Sequence, residues 1–297
     1  MPELPEVERL RRSLEPGVLG RTVTRVTIHR RDVVVGPNDP PGGFSRQRAA
    51  VRPSRLSPRL LLLGSVITTL ARRGKQLAIL GEPESPAIVV HLGMTGQLRL
   101  LPPGARLDTP DHVHLTWRFD DGSRLCFRDP RRFGGIWALA SQAELDTRWR
   151  ALGPDAIDIQ APALAEALRD ARTSLKAALL DQTRLAGLGN IYADEAAFEA
   201  GLAPARPAGS LTPAETDRLA SAIRLVLSRA LKAGGSTLRD YRDAQGRPGS
   251  AQLVHAVYGR AGLPCVRCGS TLLGSVLAQR ATVWCPNCQP HKPKAPR

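Results

Sequence analysis

The chain opens with Met1-Pro2-Glu3-Leu4-Pro5-Glu6, which puts a proline and a carboxylate at its N-terminus. Removal of Met1 leaves Pro2 as the first residue, and its free group is then a secondary amine. A free α-amino group has a pKa of about 8, so an appreciable fraction is neutral and nucleophilic near pH 7. Glu3 adds a carboxyl group that can donate or accept a proton. The alternative interpretation of these residues is a frayed helix cap.

A helix is predicted directly after this stretch, because apolar residues recur at helical spacing. Val7, Leu10 and Leu14 lie three and four residues apart and therefore share one face. Pro5 suits the first helical turn, because backbone N–H groups there have no partner within the helix and proline lacks this group. A helix with its apolar face in a core would hold the N-terminus in place.

Short strands separated by turn residues dominate the chain from Gly20 to about residue 139. Asp120-Asp121-Gly122-Ser123 is predicted to form a hairpin turn between two of them. Many short strands of this kind predict an antiparallel sandwich or barrel. The strand-like runs are 20–30, 65–71, 76–80, 87–92, 97–101, 113–119, 124–128 and 135–139.

The pattern becomes helical after about residue 140. A capping box at Thr212-Pro213-Ala214-Glu215 predicts a long helix that ends at Gly234-Gly235. Residues 173–181 and 191–200 are predicted to form a helix–turns–helix unit. Asn190 would cap the second of these helices and offer an anion site at its N-terminus. The alternative for this unit is an αα-hairpin that binds nothing.

The composition favours a nucleic-acid partner. Lys and Arg number 42 against 27 Asp and Glu, for a net charge of +15. Such an excess points first to nucleic acid, although an arginine-rich proteome would produce it too. Aromatic residues make up only 4%, which argues against broad stacking on single strands. No apolar run reaches membrane-spanning length, and the charged N-terminus is not a signal peptide.

Four of the five cysteines form two CxxC pairs near the end of the chain. Cys265-Val-Arg-Cys268 and Cys285-Pro-Asn-Cys288 have the spacing of a tetrahedral four-cysteine zinc site, in a reducing compartment. Such a site is closed, so one zinc ion would be structural and would not activate water. The intervening residues can form a hairpin that presents Arg280 to a phosphate. Two unlinked redox pairs and an ordinary surface arginine are the alternatives.

Three loops combine cationic, aromatic or flexible apolar side chains. Arg72-Arg73-Gly74-Lys75 is either a phosphate clamp or a solvated turn. The turn 91–96 predicts a partly exposed Met94 that can wedge into a gap. In the loop 129–134, Arg131 and Phe133 can occupy the space left by an extruded base. A buried methionine and a phenylalanine tucked beneath its loop are the structural alternatives.

Taken together, the chain resembles the bacterial formamidopyrimidine-DNA glycosylases from residue 2 to about 288. The motifs occur in order, and only the loop 36–58 and the tail stand outside the resemblance. They are Pro2-Glu-Leu-Pro-Glu-Val-Glu8, Arg72-Arg-Gly-Lys75, His91-Leu-Gly-Met94, Asp129-Pro-Arg-Arg-Phe-Gly134, Gly187-Leu-Gly-Asn-Ile-Tyr192, Gly234-Gly-Ser-Thr-Leu238, Val257-Tyr-Gly-Arg260, Gln279-Arg-Ala-Thr282 and the four cysteines.

This resemblance implies an α+β fold with two main domains and DNA in the cleft between them. An N-terminal antiparallel β-sandwich with an N-terminal helix would cover 1–139. A helical domain with a helix–two-turn–helix would cover 140–255, and a four-cysteine zinc finger 256–290. Residues 291–297 are expected to be a disordered tail.

The family removes 8-oxoguanine and formamidopyrimidines from DNA and then cuts the strand at the abasic site by β,δ-elimination. The resemblance implies that Pro2 is the nucleophile and Glu3 a proton donor. It assigns proton donation in β-elimination to Lys75 and in δ-elimination to Arg280. Gap-filling residues would be Met94, Arg131 and Phe133. Phosphate contacts would be His91, Arg172, Asn190, Tyr258 and Arg280.

Two departures from the family pattern concern single phosphate contacts. Pro110 stands where the family often has a histidine, and Arg172, with Asp170 and Ala171 beside it, stands for a Lys or Arg contact just before Thr173. The related endonuclease VIII type, which prefers oxidised pyrimidines, is one alternative. A DNA-binding module without catalysis is another. Leu4, the loop 129–134 and the long loop 236–252 argue against the first. Intact Pro2, Glu3 and Lys75 argue against the second.

We expect a cytoplasmic, nucleoid-associated monomer that binds damaged double-stranded DNA and no membrane. The loop 36–58 adds a separate hypothesis, because it carries four arginines and has no acid after Asp39. Such a segment cannot bury enough apolar surface to fold alone, and basic flexible segments bind phosphates. A solvated insertion without a role is the alternative.

Overall fold

The computed structural model describes residues 2–37 and 56–290, and the chain forms two compact units. Unit 1 consists of the chain up to Arg150 together with Gly234–Gly249. Unit 2 consists of Ala151–Ala233 and the chain from Ser250 on. None of the helices in the described ranges is long and apolar enough to cross a membrane.

In its described residues, unit 1 begins with helix α1 and contains two sheets. The helix spans Leu4–Val18, with Pro5 in its first turn, as predicted. The four-stranded sheet has the order β1-β7-β8-β6, and the five-stranded sheet has the order β2-β9-β5-β4-β3. The strands are β1 Val23–Ile28, β2 Val34–Val35, β3 Thr69–Arg73, β4 Gln76–Leu80, β5 Ala87–His91, β6 Gln97–Leu101, β7 Val113–Phe119, β8 Arg124–Arg128 and β9 Gly135–Leu139.

One hydrophobic core joins α1 to both sheets. Val7, Leu10 and Leu14 of the helix belong to the same buried cluster as Leu115 of the four-stranded sheet and Ile88 of the five-stranded sheet. Burial of these side chains is the main favourable contribution to folding of the unit. It also fixes the helix whose first residues follow Pro2. The predicted sandwich and its N-terminal helix are confirmed.

The five-stranded sheet is covered on its outer face by α2, Gln142–Arg150, which the sequence pattern did not predict. Leu145 packs against Ala78 and Val89, with Trp149 partly buried beside them. This cover explains why β5 reads as a continuous apolar run rather than an alternating one. The helix carries too few apolar residues for a helical period to stand out.

Two strand predictions differ from the structure. The run 65–71 pairs as β3 only from Thr69, because the backbones of Ser65 and Ile67 bond instead to Val23 and Arg21. The strand β2 was not predicted, and its two residues pair in parallel with β9. A parallel pair between distant segments leaves no local signature in the sequence.

The described residues of unit 2 form four α-helices and one β-hairpin. The helices are α3 Ala161–Leu168, α4 Leu175–Leu180, α5 Asn190–Glu199 and α6 Pro213–Lys232. The predicted capping box is confirmed, since Thr212 accepts from the N–H of Glu215 and the Glu215 carboxylate accepts from the N–H of Thr212. The antiparallel strands β10 Leu273–Leu277 and β11 Arg280–Trp284 form the predicted hairpin.

The prediction that Asn190 caps α5 is wrong. The helix begins at Asn190, and the extended residue Gly189 is its N-cap. The Asn190 side chain is engaged elsewhere, since its Nδ2 donates to the carbonyl of Ala281 on β11 at 3.0 Å. This contact ties the start of α5 to the hairpin.

The borders of the two units differ from the predicted domain borders at two places. Helix α2 lies in unit 1, because it packs on the five-stranded sheet. Gly234–Gly249 also lies in unit 1, since its backbone and side chains bond to α1. Most of the predicted basic loop 36–58 and the predicted tail lie outside the described residues.

Candidate active site and nucleic-acid interface

The start of the chain is buried and held by Glu6. Pro2 is buried, and Glu3 is only 2% exposed. One oxygen of the Glu6 carboxylate accepts from the N–H of Glu3 at 2.7 Å. A carboxylate in the first turn also interacts favourably with the positive end of the helix. These contacts fix the backbone next to Pro2, which a frayed cap would leave loose.

The other Glu6 oxygen binds the segment 234–249. It accepts from the N–H of Ser236 at 2.7 Å, and the Glu6 carbonyl accepts from the Tyr241 hydroxyl at 3.0 Å. Burial, and then the Glu6 charge, raise the pKa of Tyr241, so this hydroxyl keeps its proton and donates. One buried carboxylate therefore connects the N-terminal residues to a segment about 230 positions away in the chain.

Lys75 and His91 lie at neighbouring strand ends. Lys75 lies in the β3–β4 turn and is buried, and the next residue, Gln76, pairs with His91 across β4 and β5. Burial, together with the charges of Lys75 and Arg148, lowers the pKa of His91 to about 4. The ring is neutral at working pH. Its Nδ1 accepts from the N–H of Gly93 at 3.2 Å, so Nε2 carries the proton and can donate to a phosphate.

A buried aspartate joins the Met94 turn to the loop 129–134. Asp129 is fully buried, and its carboxylate accepts from the Thr95 hydroxyl and, at 2.8 Å, from the N–H of Gly134. The same carboxylate accepts from the N–H of Arg131 at 3.2 Å. Gly93 has a φ of +60°, and a Cβ there would lie 2.3 Å from the backbone of Phe133. The two segments therefore form one rigid pair.

The three predicted gap-filling side chains emerge from this pair. Met94 is 43% exposed, as predicted. The Arg131 guanidinium lies 4.6 Å from the centre of the Phe133 ring, within range of a cation–π contact. The neighbouring Arg132 is engaged instead with Asp32 at 2.6 Å. Of the two adjacent arginines, Arg131 is thus the one presented beside the aromatic ring.

Two successive acids of α5 bind segments of unit 2 that carry predicted phosphate contacts. Asp194 forms a buried ion pair with Lys176 of α4 at 2.5 Å and accepts from the N–H of Val283 on β11 at 3.2 Å. Glu195 accepts from the N–H groups of Val257 and Tyr258 at 2.9 and 2.8 Å. These bonds place Tyr258 and the hairpin against the helix that begins at Asn190. Arg172, just before α4, is exposed.

The predicted zinc ligands come together in unit 2. The four Sγ atoms of Cys265, Cys268, Cys285 and Cys288 lie within 4.8 Å of one another. A tetrahedral zinc–thiolate site with bonds of about 2.3 Å places its sulfurs roughly 3.8 Å apart. The Sγ atoms of Cys265 and Cys288 are 3.9 Å apart, and those of Cys268 and Cys285 are 3.5 Å apart. The donor set and its geometry fit one structural Zn²⁺.

The hairpin between the two CxxC pairs presents Arg280 beside a tight turn. Ala278 and Gln279 both have positive φ values, which two-residue hairpin turns require. Arg280 is exposed at the start of β11. The Asp194 bond to Val283 and the zinc ligand Cys285 hold the end of this strand, and the Asn190 bond to Ala281 holds its start, so the arginine is carried on a fixed support.

Comparison with known proteins identifies the family. The model of the formamidopyrimidine-DNA glycosylase N-terminal domain matches residues 1–136. The model of the H2TH domain of this glycosylase matches 151–242, and that of a zinc finger found in FPG and IleRS matches 262–290. The formamidopyrimidine-DNA glycosylase of Laribacter hongkongensis is 44% identical over 294 residues, covering 97% of this chain and 100% of its own. The chain belongs to the formamidopyrimidine-DNA glycosylase family.

Solved structures support this family assignment. The MutM (Fpg) protein of Thermus thermophilus is 40% identical, with a TM-score of 0.80 over 98% of this chain and 100% of its own. A Lactococcus lactis Fpg in complex with DNA containing an abasic site is 30% identical, with a TM-score of 0.81 and the same coverage. The formamidopyrimidine-DNA glycosylase from Thermomicrobium roseum is 44% identical over 98% of this chain and 99% of its own.

The sequence motifs pointed to candidate DNA-contacting side chains but not to the acids that hold their segments in place. Glu6, Asp129 and Glu195 bind backbone N–H groups of segments that the sequence places elsewhere. Glu6 and Asp129 lie within quoted motifs, and Glu195 lies three residues after one, which is the local signal that could have pointed to them. The structure brings Lys75 and His91 together, and it joins Met94 to Arg131 and Phe133.

Proposed function

We propose that this chain is a bifunctional DNA glycosylase and abasic-site lyase of base-excision repair that removes oxidised purines from duplex DNA. The observation that carries the proposal is the buried Pro2-Glu3 pair just before α1. Glu6 holds this pair, and the relatives of the chain are named for glycosylase activity. The L. lactis protein has been solved with DNA containing Fapy-dG. Such lesions are the class of substrate we assign to this chain.

The reaction begins with extrusion of the damaged nucleotide, because its sugar is out of reach inside a duplex. Extrusion costs a few kcal/mol of lost stacking. Met94 and Phe133 offset part of this loss by filling the gap, and Arg131 bonds the base left unpaired on the opposite strand. The Asp129 carboxylate keeps all three on one support.

The Pro2 amine then attacks C1′ of the sugar as the base leaves. Because the amine is secondary, the product is an iminium ion, which draws electrons and acidifies the C2′ proton. Loss of that proton expels the 3′ phosphate, and a second elimination expels the 5′ phosphate. Glu3 protonates the opening sugar, and Lys75 and Arg280 serve as proton donors in the β- and δ-elimination steps.

Phosphates are held by both units in this proposal. His91 donates through Nε2 in unit 1, and Asn190, Tyr258, Arg172 and Arg280 donate in unit 2. Zinc takes no part in the chemistry and stabilises the hairpin that carries Arg280. We further propose that the protein acts as a monomer in the cytoplasm, where chromosomal DNA is its partner.

Assays on two duplexes separate this function from its alternatives. We expect excision of 8-oxoguanine to exceed excision of 5-hydroxyuracil by at least about tenfold in kcat/KM, a difference of roughly 1.4 kcal/mol in transition-state binding. The opposite preference would indicate the endonuclease VIII type. Binding to both duplexes without any strand cleavage would indicate a module that has lost catalysis.

Substitution of Phe133 tests the gap-filling role. Phe133→Ala should slow excision from duplex DNA by about tenfold, because the variant forgoes roughly 1 to 1.5 kcal/mol of aromatic stacking in the extruded state. Cleavage at a preformed abasic site should fall much less, since no base remains to be removed there. Single-turnover rates on both substrates are the measurement. Arg132→Lys is the control in the same loop, and equal losses on both substrates would assign Phe133 to packing.

The loop 36–58 is tested by its salt dependence. Deletion of residues 38–55 should make the plot of log affinity against log salt shallower on undamaged duplex, by about 0.9 for each phosphate that the loop neutralises. The excision rate at saturating enzyme should not change. A variant of full length with Arg46, Arg48, Arg52 and Arg55 replaced by glutamine separates charge from loop length. An unchanged slope in both variants would show that the loop does not touch DNA.

A further inference from the structure

Arg72 connects helix α1 to the β3–β4 turn, which contains Lys75. Its Nε donates to the Glu8 carboxylate at 3.1 Å, and its Nη1 donates to the carbonyl of Gly74 at 3.0 Å. The side chains of Arg72 and Glu8 are each only 7% exposed. A single buried guanidinium therefore contacts the helix with one nitrogen and the β3–β4 turn with another.

Glu8 is held as an anion from the helix side. Arg11 donates to it at 2.9 Å and Arg12 at 2.6 Å. Burial acts to raise the pKa of Glu8, but the hydrogen bonds from these two arginines outweigh it and lower the pKa to about 2. The bridge to Arg72 is thus charged at every pH at which the protein works. Removing one partner of a buried ion pair leaves the other uncompensated.

The two ends of the bridge lead to the two groups assigned to the elimination chemistry. Glu8 lies on the helix whose first residues follow the Pro2 amine. Gly74 has a φ of +54° and is followed directly by Lys75, which is 8% exposed. Because the carbonyl of Gly74 is anchored by Arg72, the direction in which the chain enters Lys75 is fixed relative to α1.

We propose that Glu8 and Arg72 are positioning residues that set Lys75 against the Pro2 terminus for the elimination steps. This inference rests on the proposed function, because it takes Pro2 and Lys75 in those roles. Neither Glu8 nor Arg72 touches the substrate in this scheme. Their effect is geometric, and a displacement of about 1 Å can slow a step by roughly a hundredfold.

If the bridge positions Lys75, its loss should slow strand cleavage much more than covalent capture of the DNA. Arg72→Lys keeps the charge but has no planar fork to reach two acceptors at once. On DNA with a preformed abasic site, we expect borohydride trapping at early times to change by less than about threefold. Conversion of the captured DNA into cleaved strand should slow by about tenfold to a hundredfold. Glu8→Gln should show the same separation, since it leaves Arg72 without its anion.

Glu15→Gln is the matched control, because Glu15 also pairs with Arg11 but lies about two helical turns beyond Glu8 on α1. It should leave both rates close to those of the wild type. Thermal unfolding of each variant reports the folded fraction. The double variant Glu8→Gln/Arg72→Lys should lose no more cleavage than the more affected single variant if both residues act through one bridge.

Three results are distinguishable. Parallel losses of trapping and cleavage that follow the folded fraction would overturn the inference and leave a purely structural ion pair. Additive losses in the double variant would also overturn it. Absence of any trapped complex in the wild-type protein would instead refute the proposed function, on which the inference depends.

Discussion

A protein that keeps one extra residue in front of Pro2 will bind damaged DNA but will not cleave it. The extra residue converts the Pro2 nitrogen into an amide, whose lone pair is delocalised into the carbonyl group and is not nucleophilic. Blocking a covalent nucleophile removes the reaction path itself, so we expect strand cleavage at an abasic site to fall by at least about a thousandfold. Single-turnover cleavage, with the N-terminus verified by mass spectrometry, measures this.

The control carries the same extra residue at the C-terminus and should cleave at the wild-type rate. Affinity for duplex DNA should stay within a few fold in both proteins. Pro2→Gly with Met1 removed gives a complementary test, because this variant keeps a free N-terminal amine but a primary one. Partial activity in that variant, with none in the extended one, would assign the chemistry to the terminal nitrogen rather than to the proline ring. Full activity of the extended protein would refute the assignment.

Loss of zinc will weaken DNA binding and destabilise unit 2. A four-thiolate site contributes its binding free energy to folding, about 10 to 16 kcal/mol in isolated zinc-finger peptides at neutral pH. Cys268→Ser removes one ligand. The hairpin it supports bonds to α5 through Val283 and Ala281, so its disorder should release the start of that helix. We expect at least a tenfold loss of affinity, or about 1.4 kcal/mol.

Cys126→Ala is the matched control for this substitution. Cys126 is buried in unit 1, on β8, and is not among the four clustered cysteines. The control should keep one zinc per chain by metal analysis and bind DNA normally. A Cys268→Ser protein that loses zinc but binds DNA with unchanged affinity would show that the hairpin does not need the metal.

Local patterns predicted the parts of the fold whose signals are local. The apolar spacing of Val7, Leu10 and Leu14 predicted α1, and the turn at 120–123 predicted the β7–β8 hairpin. The CxxC spacing predicted a cluster that the structure shows. In each case the relevant residues are neighbours in sequence or share one periodicity.

The residues that support the site act through contacts between distant segments, which local sequence patterns do not predict. Nothing in the sequence near Glu6 indicates that it binds Ser236, and nothing near Asp129 indicates that it binds Thr95. Asparagine is favoured at helix N-caps, but the Asn190 side chain donates to the carbonyl of Ala281 instead. Tertiary contacts of this kind override a local preference.

Covalent trapping followed by peptide mapping tests the central proposal most directly. The native protein is incubated with duplex DNA containing 8-oxoguanine in the presence of borohydride, which reduces an iminium ion to a stable amine. Protease digestion and mass spectrometry then locate the DNA-bound residue. We predict one adduct, on the N-terminal peptide that begins with Pro2. An adduct on the Lys75 peptide, or cleavage of the strand with no adduct at all, would contradict the assignment of Pro2 as the nucleophile.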